Sequence, residues 1–180
     1  MADIKVLVLL GSLRAASINR QLAELAAESA PDGVAVTIYE GLGELPFYNE
    51  DLETDAAPAA VAALRAAAAA ADAALVVTPE YNGSIPGVLK NAIDWLSRPF
   101  GNGALKDKPL AVIGAALGRY GGVWAHDETR KSFGIAGPRV VDSVKLSLQT
   151  TTFDGRHPRE SAEVAAAVRD VVGKLAAEVS

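Results

Sequence analysis

Hydrophobic residues alternate along the chain between short continuous runs and longer stretches in which they recur every three or four positions. The short runs, rich in aliphatic and β-branched residues, predict strands over residues 5–10, 34–39, 73–78 and 110–115. Alternating hydrophobic residues predict a fifth strand over residues 139–146. The longer stretches predict helices over residues 19–30, 58–71, 86–97, 123–133 and 161–179. Because a helix follows each strand, the pattern favours βαβ units with right-handed crossovers and one parallel sheet.

Residues that begin or end helices support these boundaries. Pro58 and Pro86 stand where a proline fits the first turn of a helix, and a Pro-Asp-Gly sequence follows the first predicted helix. The stretch 56–74 is mostly alanine, the residue with the highest helix propensity. The 180 residues contain no linker-like or repeated segment, so we expect one α/β domain over residues 1–180, with a long polar loop at 41–57.

The composition narrows the chemistry that the chain can perform. It contains no cysteine, which excludes a thiol nucleophile, a disulfide framework and a thiolate zinc site. Its two histidines, His126 and His157, leave little for a histidine-based metal site, and we expect both of them on the surface. An enzyme with so few reactive side chains would take its chemistry from a bound cofactor.

Charge and hydropathy indicate the compartment and exclude several partners. The formal net charge is −5, so the chain lacks the basic character of a protein that binds nucleic acid or an anionic membrane. No apolar run approaches the roughly 20 residues of a membrane span, and the first residues show no signal-peptide pattern. We therefore expect a soluble, cytoplasmic protein with no nucleic-acid partner and no membrane partner.

The loops that follow the first, third and fourth strands are the candidate sites, because ligands of open parallel sheets bind where strands end. The first loop, residues 11–20, leads into a helix whose N-terminal N–H groups attract phosphate. Ser12 and Ser17 add hydroxyls, Asn19 adds an amide donor, and Arg14 adds a cation that can bond through two nitrogens. This set suits one phosphate monoester. The alternative is a helix-capping serine beside a solvated arginine.

The second and third loops are rich in residues that form turns. The second loop, residues 78–86, has a proline near each end and Asn82-Gly83 between them, which predicts a tight turn. Its backbone amides and Tyr81 could face a planar, hydrogen-bonding ring. The third loop, residues 114–122, contains little side-chain bulk, so a ligand could approach its backbone closely. Both loops could instead be ordinary connections.

Two common nucleotide-binding motifs are absent. The pattern G-x-x-x-x-G-K-[ST] does not occur, which argues against ATP or GTP hydrolysis. The dinucleotide pattern G-x-G-x-x-G fails because Leu13 and Ala16 occupy the positions of its second and third glycines. Without those glycines we expect Glu40, at the end of the second strand, to be a solvated acid rather than a ribose ligand.

Two of the loops resemble segments of a single known family. Residues 11–20, Gly-Ser-Leu-Arg-Ala-Ala-Ser-Ile-Asn-Arg, are similar to the phosphate loop of the NADPH-dependent FMN reductase family. Residues 79–98, which begin Pro-Glu-Tyr-Asn-Gly-Ser-Ile-Pro, resemble its flavin-ring loop and the helix that follows. The resemblance implies a flavodoxin-like three-layer α/β sandwich, in which a five-stranded parallel sheet of order 2-1-3-4-5 has helices on both faces.

The family pattern also implies which residues bind FMN. Residues of the first loop would hold the phosphate: Ser12, Arg14, Ser17, Ile18 through its backbone, and Asn19. Residues of the second loop would surround the ribityl chain and the ring: Pro79, Glu80, Tyr81, Asn82, Gly83 and Ser84. Residues of the third loop would lie near the ring edge: Leu117, Gly118 and Gly121. After this loop the sequence departs from the family pattern, with Trp-Ala-His-Asp-Glu at 124–128.

The resemblance further implies an FMN-dependent oxidoreductase without a catalytic side chain or a metal. Hydride would pass from NADPH or NADH to the flavin, and electrons would then pass to a small-molecule acceptor: a flavin, a quinone, an azo compound or a metal oxyanion. The family pattern implies a homodimer or homotetramer with interface residues Trp95, Pro99, Phe100 and Trp124, of which Trp95 could instead be a core aromatic. A non-enzymatic FMN electron carrier, flavodoxin, and a nucleotide-binding regulatory module are the alternatives.

Overall fold

Five parallel strands form the central sheet of the computed structural model, which describes residues 3–54 and 57–179. The strands are β1 Ile4–Leu10, β2 Val34–Tyr39, β3 Ala73–Val77, β4 Pro109–Ala116 and β5 Arg139–Gln149. They lie in the order β2-β1-β3-β4-β5, and every neighbouring pair is parallel. This order confirms the one that the family resemblance implied.

Five α-helices of the described ranges cover the two faces of the sheet. They are α1 Ile18–Glu28, α2 Ala59–Ala70, α3 Gly87–Leu96, α4 Val123–Ala136 and α5 Ala162–Ala177. Side chains of α1 and α5 share one hydrophobic core with the strands, and side chains of α2, α3 and α4 share the other. The expected three-layer, flavodoxin-like α/β sandwich is therefore confirmed. None of the described helices is long and apolar enough to cross a lipid bilayer.

The aliphatic run of β1 contributes to both cores. Val6 and Val8 belong to the core beneath α1 and α5, whereas Leu7 and Leu9 belong to the core on the opposite face. None of these four side chains is more than 5% exposed. A strand buried on both faces has no polar side, which explains why continuous hydrophobic runs predicted β1, β3 and β4. The strand order reverses at β1, and this reversal opens a crevice at the carboxyl ends of β1 and β3.

All the predicted helix and strand boundaries agree with the structure within three residues. The largest differences are at the ends of α4 and β5, which each extend three residues further than the sequence predicts. Short 3₁₀ turns interrupt the irregular segments at Gly41–Glu44, Glu50–Leu52, Thr150–Phe153 and Pro158–Glu160. A single turn is too short to show a hydrophobic period, so the sequence predicted only loops there. Residues 55–56 of the predicted 41–57 loop lie outside the described residues.

β5 is irregular where it passes the middle of β4. Leu110 pairs with Val140, whereas Val112 pairs with Lys145, so β5 bulges between these two positions. The Val112 carbonyl, beside this irregularity, accepts a hydrogen bond from Nη2 of Arg130 in α4 at 2.8 Å. Arg130 is buried, and this burial lowers the pKa of its guanidinium from the ordinary value. The bond joins the inner face of α4 to the sheet.

Trp95 of α3 holds the segment between β2 and α2 against the core. Its Nε1 donates to the Pro46 carbonyl at 2.8 Å, and its ring meets Tyr48 edge-on, with centroids 4.9 Å apart. Asn91 also donates to the Pro46 carbonyl, at 3.0 Å, and accepts the Tyr48 N–H at 2.8 Å. Because Trp95 is fully buried, its implied place in a subunit interface is wrong, and it belongs to the core.

Replacing each of the two tryptophans distinguishes the core from the surface. We expect Trp95→Ala to lower the free energy of unfolding by about 3–5 kcal/mol, because it leaves a large cavity. Trp124→Ala, at a side chain that is 57% exposed, should change it by less than about 0.5 kcal/mol. Urea unfolding followed by circular dichroism measures both values. Similar losses in the two variants would contradict this description of the core.

Candidate functional site

Three loops meet at the carboxyl edge of the sheet. The first loop follows β1, the second follows β3, and the third includes the end of β4. Backbone hydrogen bonds continue past the strand ends: the N–H of Gly11 donates to Val77 at 2.9 Å, and the N–H of Thr78 donates to Ile113 at 3.0 Å. The bases of the loops are therefore fixed relative to one another by the sheet itself.

Gly114, near the end of β4, lies where these elements are most crowded. A Cβ at this position would lie 2.7 Å from Nε2 of His126, 2.9 Å from Oδ1 of Asn19 and still closer to the Thr78 carbonyl. Any other residue would push apart the groups that surround β4. The position therefore needs glycine for space.

The first loop ends in a capped helix N-terminus. Ser17 accepts the N–H of Asn19 at its Oγ, at 3.2 Å, and thereby begins α1. No acidic residue lies in the first turn of α1, so nothing there neutralises the positive end of the helix. Ser12 and Ser17 are buried, whereas Arg14 is exposed, and its guanidinium makes no ion pair or hydrogen bond within residues 3–54 and 57–179. Two hydroxyls and one uncommitted cation at a helix N-terminus suit an anion.

Asn19 has a structural contact that the sequence did not reveal. Its Nδ2 donates to the Ala115 carbonyl at 2.9 Å, and its Oδ1 accepts the Ala115 N–H at 2.8 Å. Asn19 is buried, so this paired contact joins α1 to the end of β4 away from water. The contact uses the amide oxygen and one of the two Nδ2 hydrogens. Only the other hydrogen remains for the implied bond to phosphate, which stays a prediction.

The second loop contains the predicted tight turn. Asn82 and Gly83 have φ angles of 53° and 72°, and the flanking Tyr81 and Ser84 exchange backbone hydrogen bonds of 3.2 and 3.1 Å. Positive φ at both central positions defines a type I′ turn, for which Asn-Gly is a preferred sequence. Among the described residues, nothing accepts the N–H groups of Asn82 and Gly83. The tip of the turn therefore presents two donors close to Tyr81, whose ring is exposed.

Glu80 and Ser84 attach the second loop to α4. Oε2 of Glu80 accepts the N–H of Ala125, in the first turn of α4, at 3.1 Å. Ser84 donates from Oγ to Oε2 of Glu128 at 3.4 Å. A carboxylate at the N-terminus of a helix is stabilised by the positive end of the helix dipole. Two residues assigned to the ring surroundings thus also hold the second loop in place.

The third loop is held to β5 on its inner side. Gly121 and Gly122 have φ angles of 62° and 92°, values that favour glycine. Gln149, at the end of β5, donates from Nε2 to the Arg119 carbonyl at 2.6 Å. The outward-facing apolar side chains of this region are more than half exposed: Leu117, Tyr120 and Trp124.

Aromatic side chains from the second loop, the third loop and α4 form an exposed rim, which consists of Tyr81, Tyr120 and Trp124. The rings of Tyr120 and Trp124 have centroids 5.6 Å apart and are tilted by 49°. A Cβ at Gly83 would lie 3.6 Å from the Trp124 ring, so Trp124 packs against the turn of the second loop. The rim is therefore continuous with the tip that carries the unused N–H donors.

His126 is buried, contrary to the expectation from the sequence. It is 0% exposed, with Nε2 2.9 Å from the Thr78 carbonyl and Nδ1 2.7 Å from Oγ of Ser147. Because a carbonyl can only accept, Nε2 carries the hydrogen, and Nδ1 accepts from the Ser147 hydroxyl. Burial lowers the pKa of the imidazole and favours its neutral form.

The spacing of residues along α4 could have identified this buried position. Four buried residues of α4 recur at the spacing of one helix face: His126, Thr129, Arg130 and Phe133. Three of them are polar, so the face does not stand out as hydrophobic. Their burial is tolerated because most of their polar groups find partners, although Nε of Arg130 has none among the described residues. Thr129, for example, donates to the Ala125 carbonyl at 2.7 Å.

Other polar residues singled out in the sequence have local roles. Glu40 is the expected exposed acid, and its hydrogen-bonded partner Arg20 holds the pKa of this carboxyl below its ordinary value. His157, expected on the surface, is half-buried and caps the turn Pro158–Glu160 by accepting the Arg159 N–H at 3.1 Å. The described residues contain no group of three or more His, Cys, Asp or Glu that could hold a metal ion.

Comparison with known proteins places these loops in a family. The sequence profile of NADPH-dependent FMN reductases matches residues 4–152, a range that includes all three loops. A quinone reductase of Pseudomonas putida is 47% identical over 127 residues, which cover 71% of this chain and 68% of that protein. An NAD(P)H-dependent FMN reductase of Pseudomonas aeruginosa is 40% identical over 156 residues, which cover 86% of this chain and 83% of that protein.

A solved structure agrees with the sequence comparisons. The flavoenzyme NAD(P)H:(acceptor) oxidoreductase of Paracoccus denitrificans superposes with a TM-score of 0.81 at 31% sequence identity. The match covers 96% of this chain and 97% of that one. Sequence and fold therefore agree over the sheet and the loops at its carboxyl edge, and the chain belongs to the NADPH-dependent FMN reductase family.

Proposed function

We propose that the three loops bind FMN at the carboxyl edge of the sheet, and that the protein passes hydride from NAD(P)H through this group to a quinone. One observation carries the proposal: Arg14 is exposed and uncommitted, within the described residues, beside the acid-free N-terminus of α1. When bound, FMN supplies the redox chemistry for which this cysteine-free chain has no side chain. The protein's own residues bind and orient it.

The phosphate would lie at the first loop. Its donors would be the hydroxyls of Ser12 and Ser17, the guanidinium of Arg14 and the backbone N–H of Ile18, with the remaining Nδ2 hydrogen of Asn19 beside them. An arginine can meet two phosphate oxygens at once, and its bonds are charge-assisted. We therefore assign the largest single contribution to phosphate binding to Arg14.

The flavin ring would lie between the second and third loops. The residues that would surround it are Pro79, Glu80, Tyr81, Asn82, Gly83, Ser84, Leu117, Gly118 and Gly121. The N–H groups at the tip of the turn have no acceptor among the described residues, so they are available to oxygen and nitrogen atoms of a ring edge. Donors held rigidly in this way stabilise negative charge that develops during reduction.

The aromatic rim favours flat substrates. The exposed rings of Tyr81, Tyr120 and Trp124 offer stacking surfaces, and both a nicotinamide and a quinone are planar. NADPH or NADH and the acceptor would use this side of the site in turn. We favour a quinone among the possible acceptors because the Pseudomonas putida relative, at 47% identity, is a quinone reductase. A cytoplasmic location, where NAD(P)H is available, would suit this activity.

The activity test uses the purified protein loaded with FMN. Under anaerobic conditions we expect continued NADPH oxidation, followed by nicotinamide absorbance, to require both FMN and added benzoquinone as the electron acceptor. Parallel assays with NADH show which donor is preferred. A flavodoxin-type carrier would bind FMN but would oxidise neither nucleotide without a separate reductase. A regulatory module would take up no FMN, and either of these results would overturn the proposal.

Arg14→Ala tests the position of the phosphate. We expect FMN binding to weaken by about 1.5–3 kcal/mol, the cost of a lost charged hydrogen bond. Riboflavin binding should hardly change, because riboflavin has no phosphate. Fluorescence titration with each flavin measures both affinities.

Lys106→Ala is the matched control for Arg14→Ala. It removes one exposed positive charge just before β4, at the amino edge of the sheet, and should leave both affinities unchanged. An equal weakening of FMN and riboflavin in Arg14→Ala would show that this residue does not bind the phosphate.

We also propose that the protein forms a homodimer or homotetramer through the outer face of α3 and α4. Phe100 and Ile135 are 78% and 70% exposed, and both line the same cavity on this face. Pro99, another implied interface residue, is exposed as well, whereas Trp124, the fourth, belongs to the aromatic rim. Association would remove this apolar surface from water.

Ile135→Glu tests this association. We expect the variant to shift towards the monomer in size-exclusion chromatography with light scattering, because a charge would have to be buried at the interface. Ala63→Glu, which introduces the same charge on the exposed side of α2, should keep the mass of the unaltered protein. An unchanged mass in both variants would exclude the face that contains Ile135.

A further inference from the structure

Two hydrogen bonds attach the start of the second loop to α4, one on each side of Pro79. The Thr78 carbonyl accepts from Nε2 of His126 at 2.9 Å, and the Glu80 carboxylate accepts the N–H of Ala125 at 3.1 Å. Thr78 and His126 are fully buried, whereas Glu80 is half-buried. The His126 bond is therefore the one shielded from competition by water.

The imidazole of His126 connects three elements. It is part of α4, it donates to the Thr78 carbonyl just after β3, and it accepts from Ser147 of β5. Gly122 leaves room for the ring, since a Cβ there would lie 3.1 Å from Nε2. Gly114 of β4 leaves room for the ring in the same way, since a Cβ there would lie 2.7 Å from Nε2. Two glycines of the third loop thus accommodate the imidazole.

We infer that His126 is a positioning residue for flavin reduction, which holds the second and third loops at the spacing that the ring requires. Because its side chain is fully buried, it acts through Thr78 and α4 rather than on the ring. The Thr78 carbonyl requires the tautomer with the hydrogen on Nε2, and the Ser147 hydroxyl holds the ring in this orientation by donating to Nδ1. The inference rests on the proposed placement of the ring between these two loops.

This role has a signature that differs from that of a phosphate ligand. If the spacing of the two ring loops relaxes, FMN and riboflavin lose affinity by the same factor, because both contain the ring. Loss of the Arg14 side chain, by contrast, should weaken the binding of FMN but not of riboflavin. A relaxed ring position also lowers kcat at saturating NADPH, because hydride transfer depends on the alignment of the reacting atoms.

The experiment compares His126→Leu with His126→Gln in the FMN-loaded protein. Leucine cannot donate to the Thr78 carbonyl, whereas the amide of glutamine can. We expect His126→Leu to weaken the binding of both FMN and riboflavin by roughly threefold to thirtyfold. The same variant should lower kcat and shift the visible absorption band of the bound flavin. We expect His126→Gln to restore most of each property, a rescue that a purely space-filling role would not produce.

Thr129→Val is the matched control. It removes another fully buried polar group from the same face of α4. Among the residues that the structure describes, the Thr129 hydroxyl bonds only within the helix, to the Ala125 carbonyl. It should lower thermal stability without changing flavin affinity, the flavin spectrum or kcat. If His126→Leu behaves like Thr129→Val in all these measurements, His126 serves the fold alone and the inference is overturned.

Two further results decide the inference. If His126→Leu weakens the binding of FMN but not of riboflavin, His126 acts on the phosphate site, and the positioning role is overturned. If His126→Leu does not fold, Ser147→Ala takes its place, because it removes only the hydroxyl that bonds to Nδ1 of His126. This variant should weaken the binding of both flavins by roughly threefold. No change in that variant would overturn the inference. Failure of the unaltered protein to bind FMN or to oxidise NADPH would count against the proposed function instead.

Discussion

Burial of the sheet on both faces is the constraint on which the rest of this structure depends. One core lies beneath α1 and α5 and the other beneath α2, α3 and α4, so a polar group that is buried within the layers without a partner is costly. Ligand-binding groups therefore collect where the strands end, and the reversal at β1 opens a crevice there. An FMN-dependent oxidoreductase suits this architecture, because the cofactor carries the chemistry and the protein needs only shaped loops.

Polar groups at this edge divide into those that bond within the protein and those that remain available. Asn19, Glu80 and His126 each bond to the backbone of a neighbouring element. Arg14 and the N–H groups of the Asn82-Gly83 turn have no such partner within the described residues. The first group fixes the positions of the loops, because breaking a buried hydrogen bond is costly. We propose that the second group meets the FMN, and the hydrogen-bonded turn holds its N–H groups in place before binding, which reduces the ordering cost.

Features that depend on neighbouring residues could be predicted from the sequence, whereas features that depend on residues distant in the chain could not. The strand β1 and the type I′ turn at Asn82-Gly83 follow from neighbouring residues, and the sequence predicted both. The roles of Asn19 and His126 depend on partners that are distant in the chain. Asn19 meets Ala115 across 96 residues, and His126 meets Thr78 across 48. Nothing local distinguishes a polar residue with such a partner from one in water, so His126 was wrongly expected on the surface.

The sequence by itself determined the alternation of strands and helices, the turn of the second loop, the absence of thiol chemistry and the resemblance to one reductase family. These features depend on hydrophobic spacing, turn preferences and composition, which act over a few residues or need no structure at all. Only the tertiary structure decided which polar side chains hold the molecule together and which are left for a ligand. That division depends on pairs of residues from separate elements, and the parallel sheet brings such pairs within hydrogen-bonding distance only when the whole chain has folded.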